Sequence, residues 1–250
     1  MENRHPGIKR IDFLGVPIDI LPEDEIEDVF RTFAEDGRQH QIVLINFFDL
    51  MRARRSKEFK KTLKHSSLVI PTAVSIWRGI KFLGKQPSYR YRPFDFVIRI
   101  LGLMEKYQKT FYLIGGKQNA LQTVFNNMRI SFPGLNIVGR YTGFYSSKME
   151  ENILLAIKKA SPTFLLAGDG LKGGDKWIYS RFESFNPGIY LYCSECFSIF
   201  SGKKKKGSKK SWESGSEVVS EVLKNPLKLF RGFIRLYYFL LLLIYRILGR

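Results

Sequence analysis

The chain has 250 residues, of which 44% are hydrophobic and 14% aromatic. That suffices for one large domain with a core and excludes a disordered chain. Forty-one Lys and Arg against 23 Asp and Glu give a formal charge of +18, which calls for an anionic partner, either nucleic acid or a phospholipid surface. No apolar run approaches the ~20 residues of a spanning helix, so a polytopic membrane protein is excluded. The cysteines are only Cys193 and Cys196, which excludes a disulfide scaffold and favours the cytoplasm. The opening Met1-Glu-Asn-Arg-His-Pro6 has no apolar stretch of the kind a secretory signal needs.

Taken in chain order, β-rich runs fall at 11–14, 42–46, 68–71, 110–114, 136–139, 164–168 and 189–193. Amphipathic helical patterns lie between them at 23–35, 48–64, 74–83, 94–107, 118–129, 148–159 and 175–182. Such alternation with short connections predicts an α/β fold: a Rossmann-like, mostly parallel sheet with helices on both faces. Residues 1–200 form this domain. Residues 201–215, rich in Gly, Ser and Lys, read as a basic flexible linker. Residues 216–250 regain helix propensity and read as an amphipathic helical appendage.

Residues 203–250 hold 12 Lys or Arg and three Glu, a surplus of +9, half the excess of the whole chain. On a helix over 223–250, Lys224, Lys228, Arg231, Arg235 and Arg246 fall on one stripe, with Leu229, Phe233, Leu236, Tyr237 and Leu240 on the far side. The apolar run 236–245 is too short to span a bilayer. A basic, aromatic-rich helix of this kind reads as interfacial, with Lys224, Lys228, Arg235 and Arg246 toward an anionic membrane. The alternative is that the apolar face packs on the body or on another subunit. The lysine cluster lacks the interleaved aromatics of nucleic-acid binders, so no nucleic acid is expected.

Glycines follow two predicted strands. Gly115-Gly116 suits either a phosphate approach at a helix N-terminus or a plain tight turn. Gly168-Asp-Gly170-Leu-Lys-Gly173 has the spacing of a dinucleotide fingerprint, a lone and weakly specific match. Cys193-Ser-Glu-Cys196 is read as two structural thiols, because the pair ends a strand instead of opening a helix and lacks further zinc ligands nearby. No Asp-x-Asp metal motif occurs. At strand ends and in the following loops stand Asn46, Asp49, Arg90, Arg92, Asp95, Asp169, Lys172 and Asp175, where ligands of a parallel sheet bind.

In order, these pieces resemble the WecG/TagA/CpsF family of bacterial glycosyltransferases (glycosyltransferase family 26), from about Phe13 to Arg231. The carriers are Phe13-Leu-Gly-Val-Pro-Ile-Asp19, Asn46 with Met51-Arg-Ala-Arg54, Leu68-Val-Ile-Pro71, Leu83-Gly-Lys85 with Arg90 and Asp95, Tyr112-Leu-Ile-Gly-Gly-Lys-Gln118, Phe132-Pro-Gly-Leu-Asn-Ile-Val-Gly139 and Asn225-Pro226 with Lys228 and Arg231. The resemblance implies transfer of an N-acetylmannosamine-like N-acetylhexosamine from a UDP donor to a polyprenyl-diphosphate-linked acceptor. The product would belong to surface polysaccharide or teichoic-acid-like synthesis. It implies a peripheral protein on the inner face of the cell membrane and no cofactor or metal, with a homo-oligomer left open.

On the same resemblance, Asn46, Arg90, Gly115, Gly116, Gly168, Gly170, Asp175 and Arg231 are substrate-binding. The chain departs from the family at its general base: the carboxylate position is Thr72, whose hydroxyl is far too weak a base near pH 7. Asp49, Asp95 and Asp169 are the candidates to replace it, with Asp95 as the chosen acid/base. A catalytically inactive member that binds a nucleotide sugar or a partner at the membrane is the alternative.

Overall fold

The computed structural model describes residues 5–87, 89–208, 212 and 232–249. Strands β1 (Lys9–Phe13) and β2 (Val16–Ile20) pair as an antiparallel hairpin. The main sheet contains β3 (Gln39–Ile45), β4 (Leu68–Pro71), β5 (Thr110–Ile114), β6 (Asn136–Tyr141), β7 (Phe164–Ala167) and β8 (Gly188–Tyr192). Its order is β4-β3-β8-β7-β5-β6, and every pairing is parallel. The last strand in sequence thus lies at the centre.

Helices α1 (Ile26–Glu35), α2 (Phe47–Arg55), α3 (Lys57–His65), α4 (Val74–Phe82), α5 (Pro93–Lys106), α6 (Gln118–Ser131), α7 (Glu150–Ala160), α8 (Asp175–Tyr179) and α9 (Ser194–Phe200) cover both faces, and α10 (Gly232–Ile247) follows. Strand alternation decides which face each side chain serves. Ile42, Ile70, Leu113, Leu166 and Leu191 join Phe30 of α1, Val97 of α5, Val124 of α6 and Phe197 of α9 in one buried layer. Their neighbours Val43, Val69, Ile114, Leu165 and Tyr190 point the other way. Val43 and Val69 meet Leu50 of α2, Phe59 of α3 and Ile76 of α4. Ile114, Leu165 and Tyr190 meet Ile157 of α7 and Trp177 of α8. The Rossmann-like α/β fold with helices on both faces is therefore present.

Three elements differ from the sequence reading. The hairpin partner β2 carries Pro17 and Asp19, which break the alternation that marks a strand. Asp19 is fully buried because Arg10 donates two 2.6 Å bonds to its carboxylate and the Val69 amide a third of 2.6 Å. The helix expected over 48–64 is two helices, split where Ser56 turns extended and accepts the Phe59 amide at 3.2 Å as N-cap of α3. The segment after β8 is helical, so Cys193 is the N-cap of α9 and Cys196 lies in its first turn.

Helix α10 has two apolar sides. Tyr238, Leu241 and Leu242 are buried against Phe13, Phe47, Ile76 and Ile80. The Tyr238 hydroxyl donates to the Ser75 carbonyl at 2.7 Å, and Arg246 donates to the Phe82 carbonyl. Phe233, Leu236, Tyr237, Leu240, Ile244 and Ile247 remain exposed along the other side. Lys224, Lys228 and Arg231, expected on the same helix, lie outside the described residues. The described start of the basic segment, 201–208, rests on the body: Lys204 meets Glu195 at 3.4 Å, Lys206 meets Asp95 at 2.6 Å, and Arg92 donates to the Gly207 carbonyl.

Candidate functional site

The carboxyl ends of the six parallel strands place Asn46, Thr72, Gly115, Thr142, Gly168 and Cys193 along one edge. In a parallel sheet this edge carries the ligand, because the following helices start there. Its two halves differ in character.

On the β5-β7 side, glycine loops interlock. The amides of Gly115, Gly116, Gly143 and Gly168 donate to the carbonyls of Tyr141, Asp169, Gly116 and Ile114 at 3.0, 2.7, 3.0 and 2.8 Å. Gly115 has φ +153°, and a Cβ there would stand 2.8 Å from the Gly168 Cα. Packing of backbone on backbone thus requires Gly115, and these four amides are already engaged. The free donors come one step later. Helix α6 begins at Gln118 with no side-chain cap and no acidic residue in its first turn. Its N-terminus opens on a cavity of about 430 Å³ lined by Lys117, Gln118, Asn119, Thr123, Ser201 and Lys203. Uncapped amides, the helix dipole and two lysines give this surface a positive character.

On the β3-β4 side, carboxylates collect. Asn46 caps α2 by accepting the Phe48 and Asp49 amides at 2.8 and 3.1 Å, and Asp49 closes the capping box by accepting the Asn46 amide at 3.2 Å. Asp49 also meets Arg52 at 3.2 Å while its side chain stays 23% exposed. Burial pushes its carboxyl up, against the Asn46 amide and Arg52. Asp175, first residue of α8, is buried with Oδ1 unpartnered. Burial first, and then the charge of Asp49, push its carboxyl up to about 8. Burial and the neighbouring charge of Asp49 thus favour the protonated form of Asp175. Behind them the Gln41 amide donates to the Asp175 carbonyl at 2.8 Å. Thr72 is buried, and its hydroxyl donates to the Ile45 carbonyl at 3.1 Å.

The remaining expected residues stand as follows. Asp95, in the first turn of α5, is ion-paired with Arg92 at 3.3 Å and Lys206 at 2.6 Å. The Arg90 guanidinium lies 3.7 Å from the Trp212 ring centre and donates to the Trp212 carbonyl at 2.5 Å. Burial raises Asp169, with Lys203 opposing. Gly170 has φ +95°, and the Gly168–Gly174 loop leads directly into Asp175.

The cysteine pair corrects the sequence reading, because it does open a helix. Its sulfurs are 3.1 Å apart, yet both residues are buried and burial drives Cys196 well up. That is the reverse of a reactive thiolate, so the structural assignment keeps its physical basis. Among the described residues, the group able to share a metal ion is His5, Glu25 and Asp28, none of which follows a strand of the main sheet. Sequence reasoning did not find the cavity at α6 or the partnership of Asp49 with Asp175. Lys117 and Lys203 are far apart in the chain, and a mid-sequence Asp carries no sign of burial.

The carboxyl edge of this Rossmann-like sheet thus carries a lysine-lined helix N-terminus on one half and two neighbouring acids on the other. A sequence model of the glycosyl transferase WecG/TagA/CpsF family matches residues 11–250, and the chain belongs to that family. It is 21% identical over 162 residues to an N-acetylglucosaminyldiphosphoundecaprenol N-acetyl-beta-D-mannosaminyltransferase of Bacillus subtilis (strain 168); the match covers 64% of this chain and 61% of that protein. It is 18% identical over 221 residues to the protein of the same name from Bacillus spizizenii (strain ATCC 23059 / NRRL B-14472 / W23), covering 88% of this chain and 84% of the relative.

Proposed function

We propose that this protein transfers an N-acetylmannosamine-like N-acetylhexosamine from UDP to a polyprenyl-diphosphate-linked sugar. The product is a precursor of surface polysaccharide or of a teichoic-acid-like polymer. The observation that carries the reading is the lysine-lined cavity at the N-terminus of α6. It suits a nucleotide diphosphate, and the relatives are named for hexosamine transfer to a lipid diphosphate.

In this reading the donor diphosphate lies at the α6 N-terminus with Lys117 and Lys203. An acceptor hydroxyl attacks the anomeric carbon, the bond from that carbon to the diphosphate oxygen breaks, and UDP leaves with its charge offset by the lysines and the helix dipole. Asp49 takes the hydroxyl proton. It is partly exposed, and its raised affinity for protons makes it a better base than a solvated carboxylate. The ion-paired Asp95 is the weaker claimant. Asp175, protonated, keeps the second charge out of the site. Arg90 reaches a substrate phosphate only when Trp212 releases it, and Arg231 is retained as a phosphate contact. No metal is assigned, since the chain has no Asp-x-Asp motif.

The exposed apolar side of α10, with Arg235 and Arg246 on the same helix, supports peripheral attachment to the cytoplasmic face of the membrane. No helix among the described residues is long and apolar enough to cross a bilayer. A second reading, a non-catalytic member that binds nucleotide sugar, is favoured by Thr72 in place of the family carboxylate. Calorimetric titration with UDP and UDP-N-acetylhexosamines, with and without divalent metal, tests the donor site. Transfer to a polyprenyl-diphosphate sugar then separates the two readings. Metal-independent UDP binding with turnover is expected; binding without turnover selects the second reading, and no binding removes both.

A further inference from the structure

Helix α2 presents Phe48, Met51, Arg52 and Arg55 along one side, at helical steps of three and four. With Ser56 and Ile234 of α10 they line a groove of about 360 Å³. Its chemistry is divided. Phe48, Met51 and Ile234 give an apolar floor, and Arg52 and Arg55 a cationic rim.

The arginines of α2 have distinct duties. Arg54 is tied down, donating to the Leu14 carbonyl at 3.0 Å and lying near the Tyr245 ring. Arg52 lies over the Phe59 ring, 3.8 Å from its centre, and meets Asp49 at 3.2 Å. Arg55 has no acidic or hydrogen-bonding partner among the described residues and is exposed. The groove is therefore joined through Arg52 to the candidate base at one end. At the other it meets the exposed apolar side of α10, which begins at Phe233, beside Ile234, and runs for the helix's 16 residues, about 24 Å.

We propose that this groove seats the junction between diphosphate and prenyl chain of the lipid-linked acceptor. Arg55 and Arg52 hold the diphosphate by charge-assisted hydrogen bonds. Phe48, Met51 and Ile234 cover the first prenyl units, and the rest of the chain follows the apolar side of α10 toward the bilayer. The acceptor sugar, attached to the diphosphate, is then presented toward Asp49. The occupant is one lipid of this type and not bulk phospholipid: the groove combines a compact apolar floor with a cationic rim linked through Arg52 to Asp49, whereas the apolar side of α10 alone would serve a bilayer. The inference rests on the transferase reading for the identity of the lipid.

The test is titration of the full chain with farnesyl diphosphate, inorganic pyrophosphate and farnesol, each with and without phosphatidylglycerol vesicles as competitor. Farnesyl diphosphate is expected to bind at least about tenfold more tightly than either fragment, and Arg55→Gln to weaken it by about tenfold or more while UDP affinity is unchanged. A diazirine-bearing prenyl diphosphate is expected to label α2 or α10. Equal binding by wild type and Arg55→Gln, displacement by the vesicles, or labelling confined to other elements overturns the groove. Transfer in Arg55→Gln with unchanged acceptor KM overturns it also, yet leaves the transferase reading standing. Arg55-dependent binding of farnesyl diphosphate without any UDP binding does the reverse.

Discussion

Tyr238 of α10 lies directly over Gly79 of α4, so closely that a Cβ on Gly79 would overlap the Tyr238 hydroxyl. The absence of a side chain at Gly79 lets the appendage helix reach the body and lets the hydroxyl reach the Ser75 carbonyl.

Gly79→Ala is therefore expected to displace α10 and lower stability by roughly 1–3 kcal/mol, the usual effect of overpacking. Thermal melting checks this. Tyr238→Ala, harmful alone, is expected to cost much less in the Gly79→Ala background, because the two residues share one contact. Additive losses would show that α10 does not depend on this fit.

Asp49→Asn and Asp95→Asn together locate the base. Removing a general base lowers turnover by about 10²–10⁴-fold. That loss is expected for Asp49→Asn with UDP affinity kept, while Asp95→Asn changes turnover little. Steady-state kinetics with a polyprenyl-diphosphate sugar, alongside UDP titration, give the answer. The opposite order would move the base to Asp95.

Asp175 makes stability depend on pH in a defined direction. The folded protein keeps this proton up to about 8, whereas the solvated carboxyl releases it near 3.8. Between those values the folded state binds more protons than the unfolded state, so Asp175 contributes a loss of stability as pH rises through the window. Asp175→Asn, which cannot ionise, is expected to match wild type near pH 4 and to exceed it above pH 8. Denaturant melts of both proteins at the two pH values check this; a stability difference that is the same at both would show that Asp175 ionises as a solvated carboxyl.

The exposed side of α10 predicts the behaviour on lipid. Leu240→Asp with Ile244→Asp places two charges on that side without touching Tyr238, Leu241 or Leu242. Co-sedimentation with anionic vesicles is expected to fall severalfold while the melting temperature holds, since charge at an apolar interface opposes insertion. Unaltered sedimentation would assign membrane contact to another surface.

The sheet was legible because its strands are short β-rich runs punctuated by Gly, Pro and Asn, and the carboxyl edge followed from where they stop. Helix α9 was not, since Ser194–Phe200 follows a strand at once and its N-cap, Cys193, makes no side-chain capping bond. The residues of the site were legible as types but not as partners. Asp49 reads as a capping residue, and Asp175 as the start of a helix. Only the folded structure, in which the charge of Asp49 acts on the buried Asp175, reveals that the two acids are neighbours. The apolar side of α10 misled in part. Leu236, Tyr237 and Leu240 are exposed as expected, but the same run also supplies Tyr238, Leu241 and Leu242 to the core.

The order β4-β3-β8-β7-β5-β6 also sets a timetable. The half of the edge proposed for the acceptor hangs on β3 and β4 and the half proposed for the donor on β5 to β7, and only β8 joins them. As the chain leaves the ribosome, both halves can acquire local structure early, but no transferring edge exists until the final strand inserts between them. Because α10 emerges later still and docks on the acceptor half, maturation of the edge precedes completion of the surface proposed to meet lipid. A nascent chain stalled before residue 188 is expected to carry two half-sheets with no common site.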